Sequence, residues 1–264
     1  SSCDLTRFGS TSSSATHTYI AIVITEILLL LPELAMVRVV VVSDTHNGHR
    51  RLCVPDGDLL IHCGDLTNRG SAPELAEVDA WLGDLPHKHK VVICGNMDQR
   101  LESRRDADAR RVYFTNAAYL EDEPLEVLGL HLYGSPYTPK FCGAFQLCDE
   151  VEAGKKWAGV PDGLDILVTH GPPRGVLDGV GGGCHVGCAA LLQRVKEVRP
   201  RYHFFGHIHE EGGRQVIDGC TTFANAAQHV MVFDIEPRSS DGDLEAVRQM
   251  KRPSPVGDEE GAEK

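Results

Sequence analysis

The sequence predicts an α/β protein built on a largely parallel sheet, and three observations carry that expectation. Short runs of β-branched and aliphatic residues at 37–43, 58–63 and 90–94 have the continuous apolar character of strands buried on both faces. Helical patterns fall between such runs, as connections between parallel neighbours require. Five runs stop abruptly on polar clusters, VVVVSDTH, LLIHCGD, VVICGNMD, DILVTH and YHFFGHIH. Carboxyl ends of strands are where open α/β sheets bind their ligands.

The chain has 264 residues, enough for one large domain with a substantial core, and it shows no internal repeat. At 42% hydrophobic and 24% charged its composition is that of a globular protein. A formal net charge of −12 argues against binding to long nucleic acid. It leaves phosphate-ester chemistry open, because bound cations can reverse the sign locally. The 9 cysteines are scattered, without any Cys-x-x-Cys pair, which predicts reduced thiols and an intracellular, cytoplasmic location. Cys63 and Cys94 fall in core strands as small apolar residues. Cys184 and Cys188, one helical turn apart, read as packing rather than as a metal site.

Residues 1–35 differ from the rest. Positions 1–18 are rich in Ser and Thr, with Asp4 and Arg7, and 19–31 are apolar apart from Thr25 and Glu26. That run is too short to span a bilayer comfortably and has no cationic start, so no stable membrane span is expected. The reading is an extension outside the fold, with organellar targeting as the alternative and Met36 as the candidate initiator. The domain proper is expected over 36–236, and a polar tail with an acidic cluster at 258–260 over 237–264.

Within the domain, a helix is expected at 73–85 with Pro73 in its first turn, where a missing N–H costs little. A second is expected at 99–111, its charges facing solvent. Strands at 119–120, 126–128 and 130–133 are punctuated by Pro124 and Gly129. The loop 134–147 holds Pro136, Tyr137, Pro139, Phe141 and Phe145, and reads equally as a lid, a base-stacking wall or a loop pinned by its own aromatics. A strand at 165–169 and a loop at 171–183 precede an amphipathic helix at 186–198, which stops before Pro200. Strands at 202–205, 215–218, 221–224 and 230–235 complete the series.

The polar clusters supply Asp44, His46, Asp65, Asn96, His170, His207 and His209. If the backbone stays extended after the first strand, Asp44 and His46 point to the same side. Imidazole, carboxylate and amide oxygen without thiolate suit Mn, Fe or Zn. Seven donors are too many for one ion and a natural number for two divalent ions sharing a carboxylate, roughly 3.5–4 Å apart.

Asp44-x-His46, Gly64-Asp65, Gly95-Asn96-x-Asp98, His170 and Gly206-His207-x-His209 together resemble the calcineurin-like metallophosphoesterase superfamily. GDLTNRG, HGPPRG, RPRYHFFGHIHE and DGCTTFANA are similar to the metallophosphoesterase-domain-containing proteins of animal brain and microbes. The resemblance implies a four-layer α/β/β/α sandwich of two mixed sheets flanked by helices. It implies Asp44, His46 and His209 on a first metal, Asn96, His170 and His207 on a second, and Asp65 as the bridge. It further implies a hydrolase in which metal hydroxide attacks a phosphoester, with Asp65, Asn96, Asp98 and His207 in catalytic roles. Some animal members of the closer group carry Gly at the position of His207 and lose activity.

One departure from the superfamily pattern stands out. Where a His usually precedes Asp98, this chain has Met97, which has no proton to give. A branch lacking that His still cleaves phosphodiesters, so the reading is a phosphodiesterase acting on small substrates such as nucleotides or cyclic nucleotides. The alternative is an inactive phosphoesterase fold serving as a protein-interaction module. Arg69, Arg174 and His185 are the candidate substrate contacts, and His49 and His185 the candidate replacements for the absent acid. His62 and His203, inside strands, read as structural.

Overall fold

Val39, Val40, Val41 and Val42 are completely buried and form the centre of β1 (Val37–Val42). Branching at Cβ leaves them few rotamers to lose and suits a pleated surface. The computed structural model describes residues 36–103 and 107–238, and the fold lies in the unit Val37–Lys264. The expectations for 1–35 and for a tail beyond 238 lie outside the described residues.

After β1 come β2 (Leu59–His62), α1 (Ala72–Asp84), β3 (His89–Val92), α2 (Gln99–Glu102), α3 (Ala107–Arg111) and β4 (Ala118–Tyr119). Next follow β5 (Glu123–Val127), β6 (Leu130–Ser135), β7 (Thr138–Pro139), β8 (Gln146–Leu147), α4 (Glu150–Trp157) and β9 (Ile166–Thr169). The chain continues through β10 (Gly179–Val180), β11 (Cys184–His185), α5 (Ala189–Val198), β12 (Tyr202–Phe205), β13 (Arg214–Asp218), β14 (Thr221–Asn225) and β15 (Val230–Ile235).

Two sheets dominate, with strand orders β15-β1-β2-β3-β4 and β13-β14-β12-β9-β6-β5. Inside each, neighbours run parallel, while β15, β13 and β5 join antiparallel at the edges, so both sheets are mixed. Successive side chains of a strand face opposite ways, and the valines of β1 divide accordingly. Val39 and Val41 enter the layer between the sheets with Ile61, Leu132, Ile166 and Phe204. Val40 and Val42 face outward onto Leu75, Val78, Trp81 and Leu82 of α1. On the far side, Leu167 and Phe205 pack against Trp157 of α4 and Leu191 and Val195 of α5. The result is the four-layer α/β/β/α sandwich.

Several elements depart from the sequence reading. The helix expected at 99–111 is two short ones. Arg110 folds back and donates to the carbonyls of Leu101 and Glu102, groups that a continuous helix would have used itself. Pro124 lies inside β5 rather than breaking it, because β5 is an edge strand where a lost N–H is tolerated. α4 had no counterpart in the sequence reading. Asp149 caps it, accepting from the backbone N–H of Val151 and Glu152 at 2.9 and 2.8 Å, and it tolerates Gly154 in its middle. α5 starts at Ala189, with the Cys188 thiol accepting from Leu191 N at 3.4 Å. Cys184 is left exposed in β11, so the one-turn spacing of the two cysteines is not realised. The cysteines among the described residues are all unpaired. No helix among the described residues is long and apolar enough to cross a membrane.

Candidate metal centre

The polar clusters follow β1, β2, β3, β9 and β12, the parallel strands whose carboxyl ends meet at one edge of the sandwich. The backbone does not stay extended there, contrary to the expectation for Asp44 and His46. Asp44, His46, Asn47, Asp65 and His207 have φ of 55°, 43°, 63°, 53° and 69°. Left-handed conformations at non-glycine residues are costly and collect at functional sites. Hydrogen bonds between the loops hold them: Asp44 N to Gly64 O at 3.0 Å, His46 N to Asp65 O at 3.1 Å and Asn47 N to Leu66 O at 3.1 Å. Two glycines are obligatory for closeness. A Cβ on Gly95 would overlap Asp65 Oδ1, and one on Gly206 would overlap Asp44 Oδ2.

This geometry gathers the donors. Metal-competent atoms of Asp44, His46 and His209 lie within 4.8 Å of one another, and so do those of Asp44, Asp65 and His170. Asp44 is common to both groups. The two oxygens of Asp65 face different histidines, Oδ2 lying 3.7 Å from His46 Nε2 and Oδ1 3.3 Å from His170 Nε2. Asn96 Oδ1 is 3.0 Å from His170 Nε2. His207 stands beside these groups, its ring against that of His170 at 5.1 Å and its backbone N–H donating to Asp44 Oδ2 at 2.9 Å.

The atoms behind the donors orient them. Cys63 O is an acceptor only, so at 2.8 Å it fixes the proton of His170 on Nδ1 and turns Nε2 toward the carboxylates. Ser43 Oγ donates to Asp44 Oδ2 at 2.6 Å. Burial works against the Asp44 carboxylate, but the His209 hydrogen bond, the nearby His170 and the Ser43 hydroxyl overcome it and hold the group well below the usual carboxylate range. For His170 burial is outweighed by the charge and hydrogen bond of Asp65, which raise it to about 9. Burial and His170 push His207 down to about 4, leaving a neutral imidazole. The hydrogen bond to Asp44 raises His209. Carboxylate oxygens of Asp44 and Asp65 and the Asn96 carbonyl thus converge on one place, where the clustered negative charge draws protons onto His170 and His209. A divalent cation satisfies such a set, and the N and O donors fit Mn, Fe or Zn.

Asp98 lies behind this centre, fully buried. One oxygen accepts from Thr67 N at 3.0 Å and Thr67 Oγ1 at 2.7 Å, the other from Gly95 N at 2.9 Å and Leu66 N at 3.3 Å. Burial and the charge of Asp65 raise it to about 7 against the pull of those hydrogen bonds. Asp98 therefore ties the Asp65 loop to the Asn96 loop and does not line the cavity above them.

That cavity, about 920 Å³, is lined by His46, Asp65, Asn96, Met97, His207 and His209 on one side and by Lys140, Phe141, Cys142, Val180 and Val186 on the other. Arg69 and Arg174 are exposed and line none of it. His185 is also outside it, its Nδ1 paired to Asp178 Oδ1 at 2.6 Å. His49 is buried with its ring 5.1 Å from that of Trp81, under the first sheet's helix and away from the cavity. His62 and His203 are buried, each bonded through Nε2 to a threonine hydroxyl, Thr45 at 3.0 Å and Thr169 at 2.8 Å. Asn68 and Lys140 also line the cavity; Asn68 sits inside GDLTNRG beside the more conspicuous Asp65 and Arg69, and Lys140 belongs to no motif. Lys140 arrives there because its loop docks on the Asn96 turn, Ala144 N donating to Asn96 O at 2.8 Å.

A four-layer sandwich with a histidine and carboxylate cluster at its strand ends is an α/β fold carrying a candidate metal site. Residues 37–211 match the model of the calcineurin-like phosphoesterases, and the chain belongs to that family. Metallophosphoesterase domain-containing protein 1 of Homo sapiens is 41% identical over 214 residues, which cover 72% of this chain and 65% of the relative. The chain thus spans somewhat less than two thirds of that relative's length. A UPF0046 protein of Caenorhabditis elegans, K07C11.7, is 39% identical over 203 residues, covering 72% of this chain and 69% of the relative. A solved crystal structure with 15% identity superposes with a TM-score of 0.55 over 76% of this chain and 99% of its own, a likeness of fold.

Proposed function

We propose that the chain is a dinuclear metal-dependent phosphoesterase that hydrolyses small phosphodiesters. The observation that carries this reading is the Asp65 carboxylate, whose two oxygens face His46 and His170 in two adjoining donor groups. Asp44, His46 and His209 would hold one ion, Asn96, His170 and His207 the other, with Asp65 between them and Asp44 at the junction. Bound divalent cations supply a nucleophilic water at neutral pH and neutralise phosphate charge.

The chain's own residues do the positioning. Cys63 O and Ser43 Oγ fix the orientation of His170 and Asp44, and Asp98 locks the loops that carry Asp65 and Asn96. Met97, where a proton donor to the leaving group would stand, contributes only a thioether to the cavity wall. A dianionic monoester expelling an alkoxide gains most from such a donor, general acid catalysis being worth about 10²–10⁴-fold. Diesters with good leaving groups need it less, which favours the diester reading.

Turnover on bis- and mono-p-nitrophenyl phosphates and on 2′,3′- and 3′,5′-cyclic nucleotides, after loading with Mn, Fe or Zn, tests the proposal. Metal-dependent diester cleavage is the expected outcome. Absence of turnover with every metal and substrate would overturn it.

A further inference from the structure

A phosphate site needs charge, yet much of the cavity wall facing the candidate donors is apolar, built from Pro139, Phe141, Val180, Val186 and Ile208. Phe141 is the outlier among them. The residue is 76% exposed, yet its ring stands edge-on to the His207 ring, 6.1 Å between centroids at 78°. The loop carrying it is tied down. Phe141 N donates to Gln146 Oε1 at 3.0 Å, and Gly143, at φ 84°, brings the next turn against Asn96. Phe145, four residues on, is buried against Tyr137 with ring centroids 5.9 Å apart. An apolar ring fixed in water at the rim of a polar centre presents a face for a ligand to cover.

Adjoining this cavity lies a second cleft of about 490 Å³, with Asn47, Arg51 and Gln228 in its wall. The two cavities share His46 and Asn68, so they meet over the candidate metal centre. A phosphorus held there can send one ester arm into each cavity. Both volumes are of the size that accommodates a ring-sized group.

We infer that Phe141 is the residue of this site that selects the ester arm, receiving a planar aromatic arm by stacking while the other arm runs toward Arg51. The inference rests on the phosphoesterase reading above and adds to it the residue that sets which ester arm is accepted. Phe141 is in this account a specificity-determining residue, distinguishing aryl or nucleobase-bearing esters from aliphatic ones.

Calorimetric titration of the manganese-loaded protein with phenyl phosphate and with methyl phosphate tests it, since the two probes differ in the ring. Base–aromatic stacking corresponds to roughly 10- to 100-fold in affinity. Wild type should prefer phenyl phosphate by about that factor, F141A should lose the preference by weakening phenyl phosphate alone, and F141W should keep it. Manganese content and melting temperature should match in all three proteins, because Phe141 is exposed and holds no metal. Equal affinity of wild type for the two probes, or a preference undiminished in F141A, overturns the inference. In that case persisting turnover of bis-p-nitrophenyl phosphate leaves the phosphoesterase reading standing. If neither probe binds and no metal-dependent turnover is seen, that reading fails and the inference fails with it.

Discussion

At the scale of single residues, Asp65 and Met97 carry the clearest consequences. Asp65 reaches toward both donor groups, so Asp65→Asn should remove most bound metal and most turnover while the circular dichroism spectrum stays native. Its side chain also accepts from Met97 N at 2.7 Å, a bond an amide oxygen can keep, which is why the fold should survive. Near-normal metal content in that variant would exclude a shared carboxylate. Met97 lines the cavity without a transferable proton. Met97→His should raise monoester turnover selectively, lowering the diester-to-monoester ratio by about tenfold, short of what a well-oriented general acid gives. The gain is limited because Asp98, the residue that would orient an introduced imidazole, already has both oxygens occupied. An unchanged ratio would show that the missing acid does not set substrate choice.

At the scale of elements, two carboxylates do unlike work. Asp98 joins the loops after β2 and β3. Asp98→Asn turns an amide N–H₂ toward backbone donors and so leaves at least one buried N–H unpaired, at a cost of about 1–3 kcal/mol. The same variant should bind metal roughly 10- to 100-fold more weakly, as loss of groups behind a ligand does. Unaltered melting temperature and metal affinity together would rule out the tie. Asp149 caps α4 through two hydrogen bonds, and Asp149→Ala should cost about 1 kcal/mol in urea unfolding with no change in metal content. A loss of metal there would mean that α4 communicates with the centre, which its position on the outer face of the second sheet argues against.

For the whole molecule, buried neutral histidines set the acid limit of stability. Burial pushes His203 down to about 3 from an ordinary 6.5. The folded state thus resists a proton that the unfolded chain accepts below pH 6.5. Stability from this group is complete above pH 6.5 and is lost progressively as pH falls toward 3, at up to about 1.4 kcal/mol per pH unit. His62 behaves alike, burial again leading, and it too falls to about 3. Thr169 Oγ1 donates to Gly171 O, so His203 Nε2–H must be the donor in its bond to that hydroxyl. A glutamine amide can replace that donor. His203→Gln should therefore flatten the dependence of urea unfolding on pH between 6 and 4 by roughly one proton's worth. An identical slope in the variant would assign the acid limit elsewhere.

Much of the fold was legible because its signals are local. Runs such as VVVV at 39–42 and DILVT at 165–169 can only be buried strands, and Pro124, Gly129 and Pro200 mark real boundaries or edges. α4 has only a weak local signature, a cap and a pair of terminal lysines rather than an apolar stripe, and Gly154 interrupts its pattern. The donor residues were legible as types at strand ends, since chemistry restricts which side chains can hold a cation. Their arrangement was not, for an extended Asp44-x-His46 was the natural local reading and the chain is left-handed there. The substrate contacts read from Arg69, Arg174 and His185 lie off the cavity, while Lys140, Phe141 and Asn68 line it. What the sequence alone determined was the alternation of strand and helix and the chemistry at the strand ends, both consequences of side-chain type at short range. Which loops face one another, and so which oxygens converge and which aromatic ring overlooks them, was decided only when two sheets packed through a shared apolar layer and brought five strand ends to one edge.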